Sequence, residues 1–165
     1  YYANFLELNS FLKGLTGAKF QEKLTRACQI IESCDYTIFM GIGTSGALAK
    51  YGYRYFNNVG IQSSVITDPY FPIVGNGYKN ACMIVLSVSG ETEEIIVQLD
   101  KLKKNCVKII SITNDEEGTI SKMSDLNFSY CMIDEFASTK SIKLTTQLPV
   151  LALIEILAHH VKITK

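Results

Sequence analysis

Met83, Ile84, Val85 and Leu86 form a short apolar run that stops at Ser87-Val88-Ser89-Gly90-Glu91-Thr92, and a helical pattern starts straight after. Such a run, closed by turn residues and followed by 3.6-residue periodicity, predicts a doubly buried strand over 83–86, a turn over 87–90 and a helix over 91–104. A helix start carries unpaired N–H groups and a partial positive charge, so it attracts anions. Gly90 leaves the backbone open to a ligand, and the hydroxyls of Ser87, Ser89 and Thr92 can donate to phosphate. This would be a phosphate cradle without the lysine of a Walker A loop. The competing account is a plain capped helix, with Ser89 as N-cap, Glu93 completing a capping box, and Glu91, Glu93 and Glu94 complementing the dipole.

A second strand–turn–helix favours the cradle. Residues 36–40 read as a buried strand, followed by Gly41-Ile42-Gly43-Thr44-Ser45-Gly46 and a helix over about 45–58, with Gly60 as its C-cap. Gly52 lies inside that helix at a cost of about 1 kcal/mol relative to alanine, which predicts close packing there. Further strands are predicted over 62–67, 107–112 and 126–133, and helices over 19–33 and around 121–124. Loops are read over 71–80, with Pro72, Gly75 and Gly77, and over 134–143. Thr145 or Thr146 caps a last helix with Pro149 in its first turn. Residues 1–18 read as an N-terminal helical segment and 19–165 as one domain. Alternating strands and helices predict an α/β fold: a five-stranded parallel sheet flanked by helices on both faces, flavodoxin-like in order. Both hydroxyl-rich turns follow strands, so they share the edge where such sheets bind ligands.

Composition narrows the function classes. The 165 residues are 47% hydrophobic and 19% charged, a globule rather than a disordered chain. Sixteen basic residues balance sixteen acidic ones, so nucleic-acid binding by this segment is not expected. Five cysteines, an odd set without C-x-x-C, fit a reducing, cytoplasmic setting. The longest apolar run, 148–154, is far too short to span a membrane. No metal-ligand spacing is present, and neither metal nor cofactor is expected. The chain opens at Tyr1 without methionine or signal peptide, as an excised domain would.

Gly41-Ile42-Gly43-Thr44-Ser45-Gly46, Ser87-Val88-Ser89-Gly90-Glu91-Thr92 and Ile110-Ser111-Ile112-Thr113-Asn114 together resemble the sugar isomerase (SIS) domain. Residues 41–155 resemble in particular the C-terminal effector domain of RpiR-type transcriptional regulators; Asp68-Pro69-Tyr70, Ser124-Asp125 and Thr146-Gln147-Leu148-Pro149 also match. The resemblance implies a phosphosugar ligand, its phosphate held by Ser87, Ser89 and Thr92 and its sugar flanked by Gly43, Thr44 and Ser45, with Gly90 counted among the ligand-binding residues for its open backbone. It also implies that DNA is contacted only through a region absent from this chain. Some relatives open the last helix with Ser-Arg where this chain has Thr146-Gln147, so Lys140 or Lys143 would have to supply the cation.

Enzymes of this family isomerise phosphosugars with a glutamate or histidine. Glu155, interrupting the apolar last helix, is the one weak catalytic candidate; a structural pair with His159 one turn on is the simpler account. Glu91 is expected to turn outward or meet a sugar hydroxyl. A Ser-His-Asp hydrolase is not supported, since neither loop is a G-x-S-x-G elbow. Glycines 41, 43 and 46 do satisfy G-x-G-x-x-G, with Asp68 as the distant acid, which keeps dinucleotide binding as a competitor. Tyr51, Tyr53, Tyr55 and Phe56 with the apolar last helix suggest a homodimer or higher homo-oligomer. The expectation is a phosphosugar-binding sensory domain, with a phosphosugar isomerase or lyase of the same fold as the alternative.

Overall fold

The computed structural model describes residues 4–74, 76–135 and 143–164, with side chains as far as residue 161. Tyr1, Gly75 and Lys140 fall outside the described residues. In chain order the elements are α1 (Phe5–Gly14), α2 (Ala18–Glu32), β1 (Tyr36–Met40), α3 (Thr44–Asn58), β2 (Ser63–Ile66), β3 (Ala81–Ser87), α4 (Glu93–Lys104), β4 (Lys108–Thr113), α5 (Thr119–Met123), β5 (Leu126–Ser129) and α6 (Leu148–Thr164). The strands form one sheet in the order β2-β1-β3-β4-β5, every pair parallel. This is the flavodoxin-like α/β arrangement expected from the alternation of elements.

Strand alternation divides the core in two. Phe39, Ile84, Leu86, Ile110 and Ile112 pack with Leu24 and Ile31 of α2, Phe56 of α3, and Leu153 and Leu157 of α6. Ile38, Met40, Met83, Val85 and Ile109 pack with Ile95, Leu99 and Leu102 of α4 and Ile120 of α5. All seven residues of β3 are buried, which is why its sequence shows no polar alternation. At Gly52 a Cβ would run into the Phe39 ring, so the close approach of α3 to β1 explains a glycine in mid-helix. No helix among the described residues is long and apolar enough to cross a membrane, and the five cysteines are free thiols.

Most boundaries shift by one or two residues, and two of the differences have a visible cause. Helix α4 starts at Glu93, with Thr92 before it and no side-chain cap. Ser89 is not its N-cap: the Ser89 hydroxyl accepts the Glu91 N–H at 3.1 Å inside the turn. The turn is prolonged because Ser87 Oγ accepts the Gly90 N–H at 3.1 Å and shares a hydrogen bond with Thr92 Oγ1 at 3.0 Å. Strand β5 ends at Ser129 rather than running to 133. Beyond it, Tyr130 and Cys131 N–H still donate to the Thr113 and Asn114 carbonyls at 3.1 and 2.9 Å, and Cys131 turns to a φ of +51°. The Asn114 side chain then takes up Met132, its Oδ1 accepting the Met132 N–H at 2.7 Å and its Nδ2 donating to the Met132 carbonyl at 2.8 Å.

Candidate functional site

Strands β1 and β3 are neighbours, with Met40 beside Val85, yet the chain leaves them in opposite directions, toward β2 and toward β4. Their following loops therefore diverge and leave a crevice at the carboxyl edge. One cleft of about 340 Å³ lies there, lined by Thr44 and Ser45 from the first loop, Ser89 and Thr92 from the second, and Lys143, Thr145 and Gln147 from the segment before α6. Ile42 and Val88 supply its apolar contacts. Helices α3 and α4 both start at this cleft, and neither N-terminus has a side-chain cap. Hydroxyls, uncapped N–H groups and an ammonium make a surface that suits an oxyanion.

Gly43, Ser87 and Gly90 do not line the cleft. Ser87 is 2% exposed, and its hydroxyl is turned into the loop, where it ties Gly90 and Thr92. Gly43 and Gly90 bend the two loops at φ of +62° and +67°, a backbone region that disfavours other residues. The sequence offers Thr145 only as one of two caps for the last helix and Gln147 only as the residue standing where some relatives have arginine; the fold puts both on the cleft wall. Lys143 Nζ lies 2.9 Å from Asp134 Oδ2, and Thr145 Oγ1 donates to Asp134 Oδ1 at 2.8 Å. The Lys143 ammonium holds the Asp134 carboxyl below its usual range.

The second loop is buttressed from behind. Ile120 N–H donates to the Gly90 carbonyl at 2.9 Å, and a Cβ at Gly118 would lie 3.3 Å from both Cα and O of Gly90. Glu91 turns away from the cleft and accepts the Thr119 N–H at 2.7 Å and the Thr119 hydroxyl at 2.8 Å. Those bonds hold its carboxyl below the ordinary glutamate value. A carboxylate depressed on folding adds stability above its unfolded pKa and loses it as pH falls through the folded one. Glu91→Gln is therefore expected to flatten the acid limb of a Tm-versus-pH curve; an unchanged acid limb would show that the pair adds nothing.

Glu155 lies elsewhere. It accepts a hydrogen bond from Tyr51 at 2.5 Å, while His159 Nε2 meets the Tyr55 hydroxyl at 2.8 Å. The expected Glu155–His159 pair is thus replaced by two rungs between α3 and α6, and the Glu155 carboxylate pushes the Tyr51 hydroxyl up to about 12. Helix α6 also covers part of the aromatic surface of α3, and Phe56 is fully buried. Asp68, the acid of the dinucleotide reading, accepts the Tyr70 N–H at 2.9 Å in its own turn and is not among the residues lining the cleft. Two larger hollows, of about 420 and 410 Å³, lie beside α1 and α4. Neither joins both glycine-rich turns, so chemistry rather than size selects the switch-point cleft. No group of three or more His, Cys, Asp or Glu residues that could hold a metal occurs among the described residues.

A family model described as the SIS domain matches residues 30–155. The chain belongs to the SIS-domain family. It is similar, at 28% identity over 130 residues, to an uncharacterised HTH-type transcriptional regulator of Clostridium perfringens, covering 78% of this chain and 46% of that protein. The chain thus spans about half the length of the regulators it matches first. Among solved structures, the NanR protein of Vibrio vulnificus complexed with ManNAc-6P superposes on this SIS domain with a TM-score of 0.76 at 16% identity, covering 96% of this chain and 61% of that one. The sugar isomerase domain of an RpiR transcription factor from Sphaerobacter thermophilus gives 0.75 at 17% identity, with 98% and 86% covered. At these identities the structural likeness establishes the fold.

Proposed function

We propose that this chain is the phosphosugar-binding sensory domain of a bacterial, cytoplasmic RpiR-type transcriptional regulator, with DNA contacted through a region outside it. The observation that carries this reading is the convergence of two hydroxyl-bearing loops and two uncapped helix starts on one cleft. Similarity to an HTH-type regulator, to an RpiR sugar isomerase domain and to a protein solved with ManNAc-6P supports it. Residues 19–165 form the ligand-binding unit and residues 1–18 a helical appendage. Thr44, Ser45, Ser89 and Thr92 touch the ligand, while Gly43, Ser87 and Gly90 shape the loops that present them. Ligand alters how two copies pack, and so how the DNA-binding regions are presented. The exposed Phe5, Leu6 and Leu12 of α1 (56%, 64% and 47%) offer one apolar surface for that pairing.

Thermal shift and calorimetry against a panel of sugar phosphates test the reading. Hydrogen bonds to a charged group contribute about 1.5–3 kcal/mol each, so Ser89→Ala with Thr92→Ala is expected to weaken binding on the order of a hundredfold or more. Unchanged affinity would remove the cleft as the site. Isomerised product in the same mixtures would favour the enzymatic alternative, and a shift with NAD but no sugar phosphate would favour the dinucleotide one.

A further inference from the structure

Among the described residues that line the cleft, Lys143 is the cation, and its charge is already engaged. Its Nζ sits 2.9 Å from Asp134 Oδ2 in a pair that is 38% and 39% exposed. The two partners are anchored differently. Asp134 is held by the Thr145 hydroxyl at 2.8 Å and lies 3.5 Å from Asn114 Nδ2, and Asn114 clamps the Met132 backbone at the end of β4. Asp134 does not line the cleft; Lys143 does, and it reaches its partner on a long flexible stem. A half-exposed ion pair holds its members weakly. A phosphate monoester near neutral pH carries close to two negative charges and offers three acceptor oxygens, and in this cleft it would also face the N-termini of α3 and α4.

We propose that Lys143 is the residue that selects a phosphorylated over an unphosphorylated sugar, exchanging Asp134 for the ligand's phosphate when the cleft fills. This rests on the phosphosugar reading of the cleft and adds to it both a specificity residue and a built-in competitor. Asp134 keeps the ammonium at the cleft wall before ligand arrives and opposes binding, because its pair with Lys143 must break. Removing the lysine weakens the complex; neutralising the aspartate strengthens it.

Calorimetry on the intact chain tests this, using the sugar phosphate that gives the largest thermal shift and its unphosphorylated parent. Lys143→Gln is expected to lose at least tenfold in affinity for the phosphorylated sugar, with no change toward the parent, and Lys143→Arg to recover most of the loss. Asp134→Asn, which keeps an acceptor for Thr145, is expected to bind roughly two- to fivefold more tightly than the wild type, since a weak competing pair is gone. Wild-type affinity in Lys143→Gln, or equal or weaker binding in Asp134→Asn, overturns the exchange while leaving the cleft itself intact. Failure of the unaltered chain to bind any sugar phosphate overturns the functional reading instead.

Discussion

Gly41→Ala is expected to lower Tm and to abolish measurable sugar-phosphate binding together. A Cβ at position 41 would sit 2.5 Å from the Ser45 carbonyl oxygen, 2.7 Å from its carbon and 3.1 Å from the Gly46 nitrogen. All three are backbone atoms of the first turn of α3, so no rotamer change relieves the contact. Gly41 is also fixed from the other side, its N–H donating to the Ile66 carbonyl at 3.2 Å. Either α3 slides along the sheet or the loop refolds. Overpacking of this kind costs about 1–3 kcal/mol, and a chain of this size loses about 2–4 °C per kcal/mol. The effect on binding is larger, because Thr44 and Ser45 move with the turn and a displacement of about 1 Å can cost a hundredfold at a site that depends on position. Calorimetric unfolding and ligand titration of the same sample check both; normal Tm and normal affinity would mean that the loop has slack its close contacts deny.

Gly52→Ala is expected to destabilise the domain, although alanine at an unhindered helical site stabilises by about 1 kcal/mol. The added methyl meets the Phe39 ring, which is 0% exposed and packs edge-on against Phe56 with centroids 4.9 Å apart at 87°. That ring has nowhere to swing. A net loss of about 1–3 kcal/mol is expected, and Phe39→Leu in the Gly52→Ala background should recover part of it. A double-mutant cycle in denaturant measures the coupling. Additive losses would place the strain elsewhere.

The layout of the sheet was legible because its three central strands, β1, β3 and β4, are buried on both faces over nearly their whole length and end at glycine or hydroxyl residues, a contrast visible in a window of ten residues. The two turns were legible for the same reason. Other features depend on partners distant in sequence. Nothing near Glu155 or His159 announces Tyr51 and Tyr55, each 104 positions away, so local spacing paired the acid with the histidine. The path beyond β5 depends on the Asn114 side chain, which bonds the Met132 backbone from 18 residues upstream. The start of α4 is delayed by a bond between Ser87 and Thr92 that competes with helical geometry at the very residues that would otherwise extend it. The inward turn of the Ser87 hydroxyl follows from that bond as well; a serine in a phosphate-binding pattern looks the same whether it meets the ligand or braces the loop.

That bracing bears on the thermodynamics of capture. The second loop is secured in front by Ser87 and behind by Gly118, Thr119 and Ile120, so its donors already stand in one arrangement before any solute arrives. A rigid receptor forfeits little chain entropy on association, which leaves the shedding of water from the phosphate and the re-pairing of charge as the main opposing terms.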